Sequence, residues 1–353
     1  MKKIVLIMSV VLVIISFAGC KKSTEEEPVV DEITASVLSR ELNGYEKLLG
    51  ITEDERREFV EEYGYFAYDV GLIASSVTYM SISNEESGIL EEDLDMYKGD
   101  TTIETFKIQS SMDDHHDIPV DFVYKDSKDR DIVILVHGAN QNRRKLMYRT
   151  RQFIDQGYNV LQYDQRASGE NKTFLATYGI WEKYDLYDCI KHAKTLTKGK
   201  VSIFGSSLGG ATVFNLLKDE EMAKEVSYAI VDCPFVSIKN LVSHGMGSAG
   251  YLEQVDEGWQ GFRDFSKKFI GIDPEEIEVA NYADKIHTPI LMFASEKDNV
   301  LSILATREAF DKVPDETKYV FISKTAAHCN VAADDEEEYF RLCKELLSGE
   351  LIK

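Results

Sequence analysis

The sequence predicts an α/β fold, a doubly wound and mostly parallel sheet with a small helical cap. Three observations carry this. From about Thr102 onward, short apolar runs alternate with stretches of helical period. The runs are apolar throughout, as strands covered on both faces require. Finally, an interval of roughly 60 residues separates two of the runs, far beyond an ordinary connection.

The strands come first. Thr102 to Ser110 and Pro119 to Tyr124 read as a β-hairpin, with the polar Asp113 to Asp117 as its turn. The buried parallel strands are Ile132 to Val136, Asn159 to Tyr163, Val201 to Phe204, Tyr228 to Val231, Ile290 to Phe293 and Tyr319 to Ile322. Helices are expected at Asn142 to Gln156, Trp181 to Thr197, Gly209 to Leu217 and Leu301 to Val313. Repeated β-α units of this kind wind right-handedly, and functional groups gather at the carboxyl ends of their strands. The long interval carries Trp259, Phe262, Phe265, Phe269 and Ile270 at helical spacing. It reads as a helical cap over about residues 236–284, its aromatic residues fastening it to the sheet.

Residues 33–100 read as an N-terminal helical segment. Val37, Leu38, Leu42, Tyr45 and Leu49 recur at helical spacing, as do Phe66, Val70, Ile73 and Val77. Residues 21–32, with the run Glu25-Glu26-Glu27-Pro28, read as a solvated acidic tether. Residues 1–20 look like a targeting segment: Lys2 and Lys3, an apolar run from Ile4 to Phe17, then Ala18-Gly19-Cys20. The run is shorter than the roughly 20 residues that a membrane span prefers. Phe17-Ala18-Gly19-Cys20 resembles the processing box of bacterial lipoproteins. That resemblance implies lipidation at Cys20, a membrane partner through the lipid anchor, and a body on the extracytoplasmic face of the cell membrane. The α/β domain then spans residues 101–353.

Composition narrows the function. The formal charge of −22 argues against nucleic acid, because phosphate contacts need clustered Lys and Arg. Apart from Cys20 there are four cysteines, Cys189, Cys233, Cys329 and Cys343, with no C-x-x-C pair and no zinc-type Cys/His spacing. They read as mostly buried thiols. Asp113-Asp114-His115-His116-Asp117 is rich in ligand atoms, but polar turns are common, and no metal site is assigned there. Nothing in the sequence sets an oligomeric state.

Gly205-Ser206-Ser207-Leu208-Gly209 is a G-x-S-x-G. Alone it is weak, since a chain of this length meets the pattern by chance roughly one time in ten. Its context is stronger: a strand precedes it and an apolar helix follows, the arrangement that a nucleophile elbow requires. Ser207 is therefore the candidate nucleophile, and Ser206 is not correctly aimed. A serine hydroxyl needs a base. His328, in a loop of small residues after the Tyr319 to Ile322 run, is the candidate. The base needs an acid to orient it. Asp298, after the Ile290 to Phe293 run, is preferred, with Asp232 as the rival. An oxyanion needs two N–H donors. Leu208 N–H supplies one, and Ala139, in the His137-Gly138-Ala139-Asn140 loop, is expected to supply the other. His137 is expected to hold that loop by hydrogen bonding. The chemistry needs no cofactor.

In chain order, Val136-His137-Gly138, Asp164-Gln165-Arg166-Ala167-Ser168-Gly169, the elbow, and the Asp298 and His328 loops resemble the α/β-hydrolase superfamily. Tyr178-Gly179 with Glu182 and Asp185, and Asp284-Lys285-Ile286 before Pro289, look like its bacterial esterase and serine-aminopeptidase-like branch. The resemblance covers roughly Ile103 to the C-terminus. It implies hydrolysis of an ester, thioester or amide through an acyl-enzyme, with Asp164, Arg166, Glu182 and Asp185 as structural polar groups. Three readings follow. The preferred one is a membrane-tethered serine esterase acting on a small acyl substrate. The second is an aminopeptidase, with Glu253, Asp256 or Glu257 receiving a free amine. The third is a surface lipoprotein that keeps the fold for binding only.

Overall fold

A computed structural model describes residue 39 and residues 41–76, 98–248 and 250–351. The expected signal peptide (1–20), its Cys20 and the acidic tether (21–32) lie outside the described residues, as does part of the N-terminal helical segment. Among the described residues, no helix is long and apolar enough to cross a membrane.

The strands are β1 (Thr102–Gln109), β2 (Asp117–Tyr124), β3 (Ile132–Val136), β4 (Asn159–Tyr163), β5 (Val201–Ser206), β6 (Ala229–Asp232), β7 (Ile290–Ser295) and β8 (Lys318–Ser323). The principal helices are α1 (Glu53–Tyr63), α2 (Tyr65–Ser76), α3 (Met147–Asp155), α4 (Glu182–Leu196), α5 (Leu208–Leu217), α6 (Ile238–Ser248), α7 (Val255–Phe265), α8 (Ile303–Lys312) and α9 (Glu336–Ser348). The chain divides into two compact units. One takes the described residues before position 78 together with Ile238–Glu275; the other takes 98–237 and 276–351.

In the larger unit eight strands form one sheet in the order β1-β2-β4-β3-β5-β6-β7-β8. The β1–β2 and β2–β4 pairs are antiparallel, and every other pair is parallel. The pleat sorts the core. Ile132, Ile134 and Val136 of β3 join one apolar cluster, with Leu186 and Ile190 of α4, Val213 and Phe214 of α5, and Phe310 of α8. Val133 and Leu135 join the other, with Phe153 of α3 and Tyr339 and Leu346 of α9. Alternate side chains point to opposite faces, so a strand apolar at every position is one covered on both sides.

One expected element differs in the structure, and one helix, α9, has no counterpart in the sequence expectation. The helix expected over Asn142 to Gln156 opens instead with a 3-10 turn, Arg143–Leu146. Its first N–H groups are claimed from outside: Arg143 N–H donates to Asp164 Oδ1 at 2.8 Å, and Arg144 N–H to the Asn142 side chain at 3.0 Å. Helix α9 closes the domain, with Tyr339, Phe340, Cys343, Leu346 and Leu347 buried along one stripe.

The smaller unit has its own core. Thr52 caps α1 in a capping box with Glu55. Phe265 of α7 is fully buried among Phe59, Val60, Ala67, Tyr68 and Leu72 of α1 and α2. Its ring lies 6.0 Å from Phe59, 5.5 Å from Tyr68 and 4.9 Å from Phe269. Phe265 and Phe269, read from the sequence as fastening their segment to the sheet, thus pack on the N-terminal helices. Buried Glu46 accepts a 2.6 Å hydrogen bond from the Tyr68 hydroxyl and lies 3.8 Å from Arg56.

Candidate functional site

The end of β5 runs directly into α5, and Ser207 is the single residue between them, at φ 52° and ψ −115°. A left-handed φ is costly for any residue but glycine and persists only where the surroundings enforce it. Three backbone hydrogen bonds do so. Ser207 N–H donates to the Asp232 carbonyl at 3.0 Å, and its own carbonyl accepts from Gly210 and Phe235 N–H, both at 2.9 Å. The elbow also demands its glycines. A Cβ on Gly205 would stand 2.4 Å from the Gly209 carbonyl oxygen, and one on Gly209 would stand 2.1 Å from that of Val136. Helix α5 then presents its positive N-terminal end beside Ser207.

His328 follows β8 in a loop pinned from two sides. Ser323 Oγ accepts from Ala326 N–H and donates to Asp335, while Ser295 of β7 donates to the Ala326 carbonyl. His328 Nε2 lies 2.9 Å from Ser207 Oγ, and Nδ1 lies 2.7 Å from Asp298 Oδ2. The other Asp298 oxygen, Oδ1, accepts from Val300 and Leu301 N–H, each at 2.8 Å. Burial raises the Asp298 carboxyl, but His328 and these two N–H groups outweigh it and hold it below its ordinary range. Burial lowers His328; the Asp298 carboxylate and the Cys329 sulfur outweigh that and raise it.

The structure thus brings Ser207, His328 and Asp298 into one hydrogen-bonded line. Asp232, the rival acid, is engaged elsewhere: its Oδ2 accepts from Arg149 Nη2 at 3.1 Å and from the Tyr339 hydroxyl at 2.9 Å.

The loop after β3 lies against Ser207. A Cβ on Gly138 would stand 3.2 Å from Ser207 Cβ, and Ala139, the next residue, is exposed. Leu208 opens α5, so its N–H has no partner one turn back in the helix. His137 is buried and holds this loop. Its Nδ1 donates to the Gly138 carbonyl at 2.8 Å, and its Nε2 accepts from Gln165 N–H at 3.1 Å. Burial lowers its pKa, consistent with a neutral ring. Gln165 in turn donates to the His137 carbonyl at 2.6 Å and accepts from Thr212 of α5 at 2.7 Å.

The acidic turn of the hairpin is a clamp. His116 sits between Asp114 and Asp185, 2.8 Å from each, and Arg166 pairs with Asp114 at 2.6 Å. Asp164 accepts from Arg143 and Glu170 backbone N–H, and Glu182 from Thr177 and Gly179 N–H.

One group beside this hydrogen-bonded line is not legible in the sequence. Cys189, Cys233, Cys329 and Cys343 are all free thiols, and two of them flank His328. Cys329 adjoins His328, and Ser206 Oγ donates to its sulfur at 3.3 Å. Cys233, one residue beyond β6, brings its own sulfur within 4.8 Å of the Cys329 sulfur and of a His328 ring nitrogen. Their separation along the chain hides the pair, and a cysteine directly after a candidate base is the only local hint.

The family described as "Serine aminopeptidase, S33" matches residues 127–261. An uncharacterized protein of Bacillus subtilis strain 168, YqkD, is 26% identical over 222 residues, covering 62% of this chain and 71% of that one. The Pyrococcus furiosus esterase Pf2001 superposes with a TM-score of 0.55 at 20% identity, over 74% of this chain and 96% of that one. The α/β hydrolase GrgF from Penicillium sp. sh18 gives 0.54 at 16% identity, over 70% and 98%. Sheet order, elbow and structural likeness agree: the chain has the fold of the α/β-hydrolase superfamily.

Proposed function

We propose that this chain is a serine hydrolase that cleaves a carboxylic ester through an acyl-enzyme. The observation that carries the proposal is the continuous line from Asp298 through His328 to Ser207, at 2.7 and 2.9 Å. In the reaction His328 Nε2 takes the Ser207 proton as Oγ attacks the acyl carbon, then returns it to the leaving alcohol. Water repeats the cycle to release the acid. Asp298 keeps the second proton on Nδ1 and stabilises the imidazolium. Leu208 and Ala139 N–H groups receive the oxyanion, and the α5 N-terminus favours its charge.

The family that matches residues 127–261 favours a second reading, cleavage of a peptide from its amino end. Rates on p-nitrophenyl esters and on aminoacyl amides separate the two. For location, Phe17-Ala18-Gly19-Cys20 supports tethering through a lipidated Cys20 on the extracytoplasmic face; metabolic labelling with palmitate, lost in Cys20→Ala, tests it.

The central test is labelling with a fluorophosphonate, wild type against Ser207→Ala. Labelling of the wild type alone is expected. A folded wild type that never labels points to a binding protein and overturns the proposal.

A further inference from the structure

We propose that Cys233, His328 and Cys329 form a binding site for a thiophilic divalent cation, Zn2+, that fills only by taking His328 away from Ser207. One donor atom of each residue lies within 4.8 Å of the others, and this is the one such cluster of three or more His, Cys, Asp or Glu found among the described residues. Two sulfurs and an imidazole are the donor set that zinc prefers. Bonds of about 2.3 Å to sulfur and about 2.0 Å to nitrogen place tetrahedral donors roughly 3.5–3.8 Å apart. The three groups therefore need to close by an ångström or so at most.

The surroundings are those of a built site. The Asp298 carboxylate, 2.7 Å from His328 Nδ1, fixes the ring with its proton on that side, the carboxylate–histidine arrangement that orients zinc-bound imidazoles. That leaves Nε2, now 2.9 Å from Ser207 Oγ, as the nitrogen that a cation takes. Ser206 Oγ already donates to the Cys329 sulfur at 3.3 Å, as an outer-shell group does. Both cysteines are held on left-handed backbone, φ 46° at Cys233 and 57° at Cys329. Cys233 is further pinned by donating its N–H to the Phe293 carbonyl at 2.9 Å. On binding, each thiol releases its proton to solvent and the sulfur lone pair forms the metal bond. The fourth position falls to water or to Ser207 Oγ.

Occupancy and reaction then exclude each other, because one nitrogen cannot bind a cation and accept a proton. Only this inhibitory consequence rests on the serine-hydrolase reading. The binding itself does not.

Cd2+ is the probe, since its thiolate bonds absorb in the ultraviolet. The full-length chain in detergent, kept reduced with a phosphine, is titrated with Cd2+ while fluorophosphonate labelling is followed in parallel. We expect a thiolate–Cd2+ band that saturates at one equivalent and yields to Zn2+. It should vanish in folded Cys233→Ala and Cys329→Ala and persist in Cys189→Ala. The labelling rate should fall about tenfold at a cation concentration about ten times Kd, and EDTA should restore it. A folded wild type without the band overturns the proposal. So does a band that survives in both variants, or one that forms while labelling is undiminished. A wild type that shows the band but never labels, even without metal, keeps the site and overturns the hydrolase reading instead.

Discussion

Replacing Asp298 by asparagine tests the triad with almost no change in shape. Asp298 Oδ1 accepts two backbone N–H bonds, from Val300 and Leu301, and Oδ2 faces His328 Nδ1. An asparagine keeps both backbone bonds only with its carbonyl oxygen in the Oδ1 place. Its NH2 then faces Nδ1 and must donate to it. His328 is driven to the other tautomer and presents N–H, rather than a lone pair, to Ser207. Reversing the amide would set two N–H groups against two N–H groups, which costs more than the single hydrogen bond it saves. The same exchange in a serine protease triad lowers kcat about 10^4-fold, or about 5.5 kcal/mol at about 1.36 kcal/mol per decade. We expect a fall of that order in fluorophosphonate labelling and in p-nitrophenyl ester hydrolysis, with an unchanged circular dichroism spectrum. Asp232→Asn serves as the control, because Asp232 is held by Arg149 and Tyr339. A fall of less than tenfold in Asp298→Asn would refute the assignment, as would an equal fall in folded Asp232→Asn.

Two further outcomes concern stability. Arg149→Met leaves the fully buried Asp232 carboxylate with Tyr339 as its remaining donor, and stranding one partner of a buried pair costs about 3–5 kcal/mol. Urea midpoints of wild type and variant report it, and a loss below about 1 kcal/mol would count against the network. His116→Gln probes the hairpin clamp. Burial lowers His116, but Asp185 and Asp114 raise it above 6.5 on balance. A group raised on folding contributes its full stability below its unfolded value, near 6.5, and loses it as pH climbs through the raised one. The wild type should therefore exceed the variant most clearly in acid, by a margin that shrinks as pH rises above 6.5. A margin that grows toward alkaline pH would show that the clamp is not held by a charged imidazole.

Much of the fold was legible because it is written in local patterns. Ile132 to Val136 is apolar at every position, and such a run has few places to go except a strand with both faces covered. The candidate nucleophile was legible for a similar reason, since strand, G-x-S-x-G and apolar helix are contiguous. Other features were not. The opening of the helix after β3 depends on Asp164, which captures an N–H twenty-one residues upstream. The partner of Phe265 depends on α1 and α2, some two hundred residues earlier.

By itself the sequence determined the strands, their mostly parallel doubly wound class, and Ser207 and His328 as the residues to watch. Those rest on periodicity and short spacing, which a chain carries before it folds. The tertiary structure decided between two strand-end carboxylates, handing His328 to Asp298 and Asp232 to Arg149 and Tyr339. It also set Cys233 and Cys329 beside His328. Each of these is a meeting of groups far apart along the chain. Which ones meet follows from strand register, loop hydrogen bonds and packing, and none of these has a period that a sequence can show.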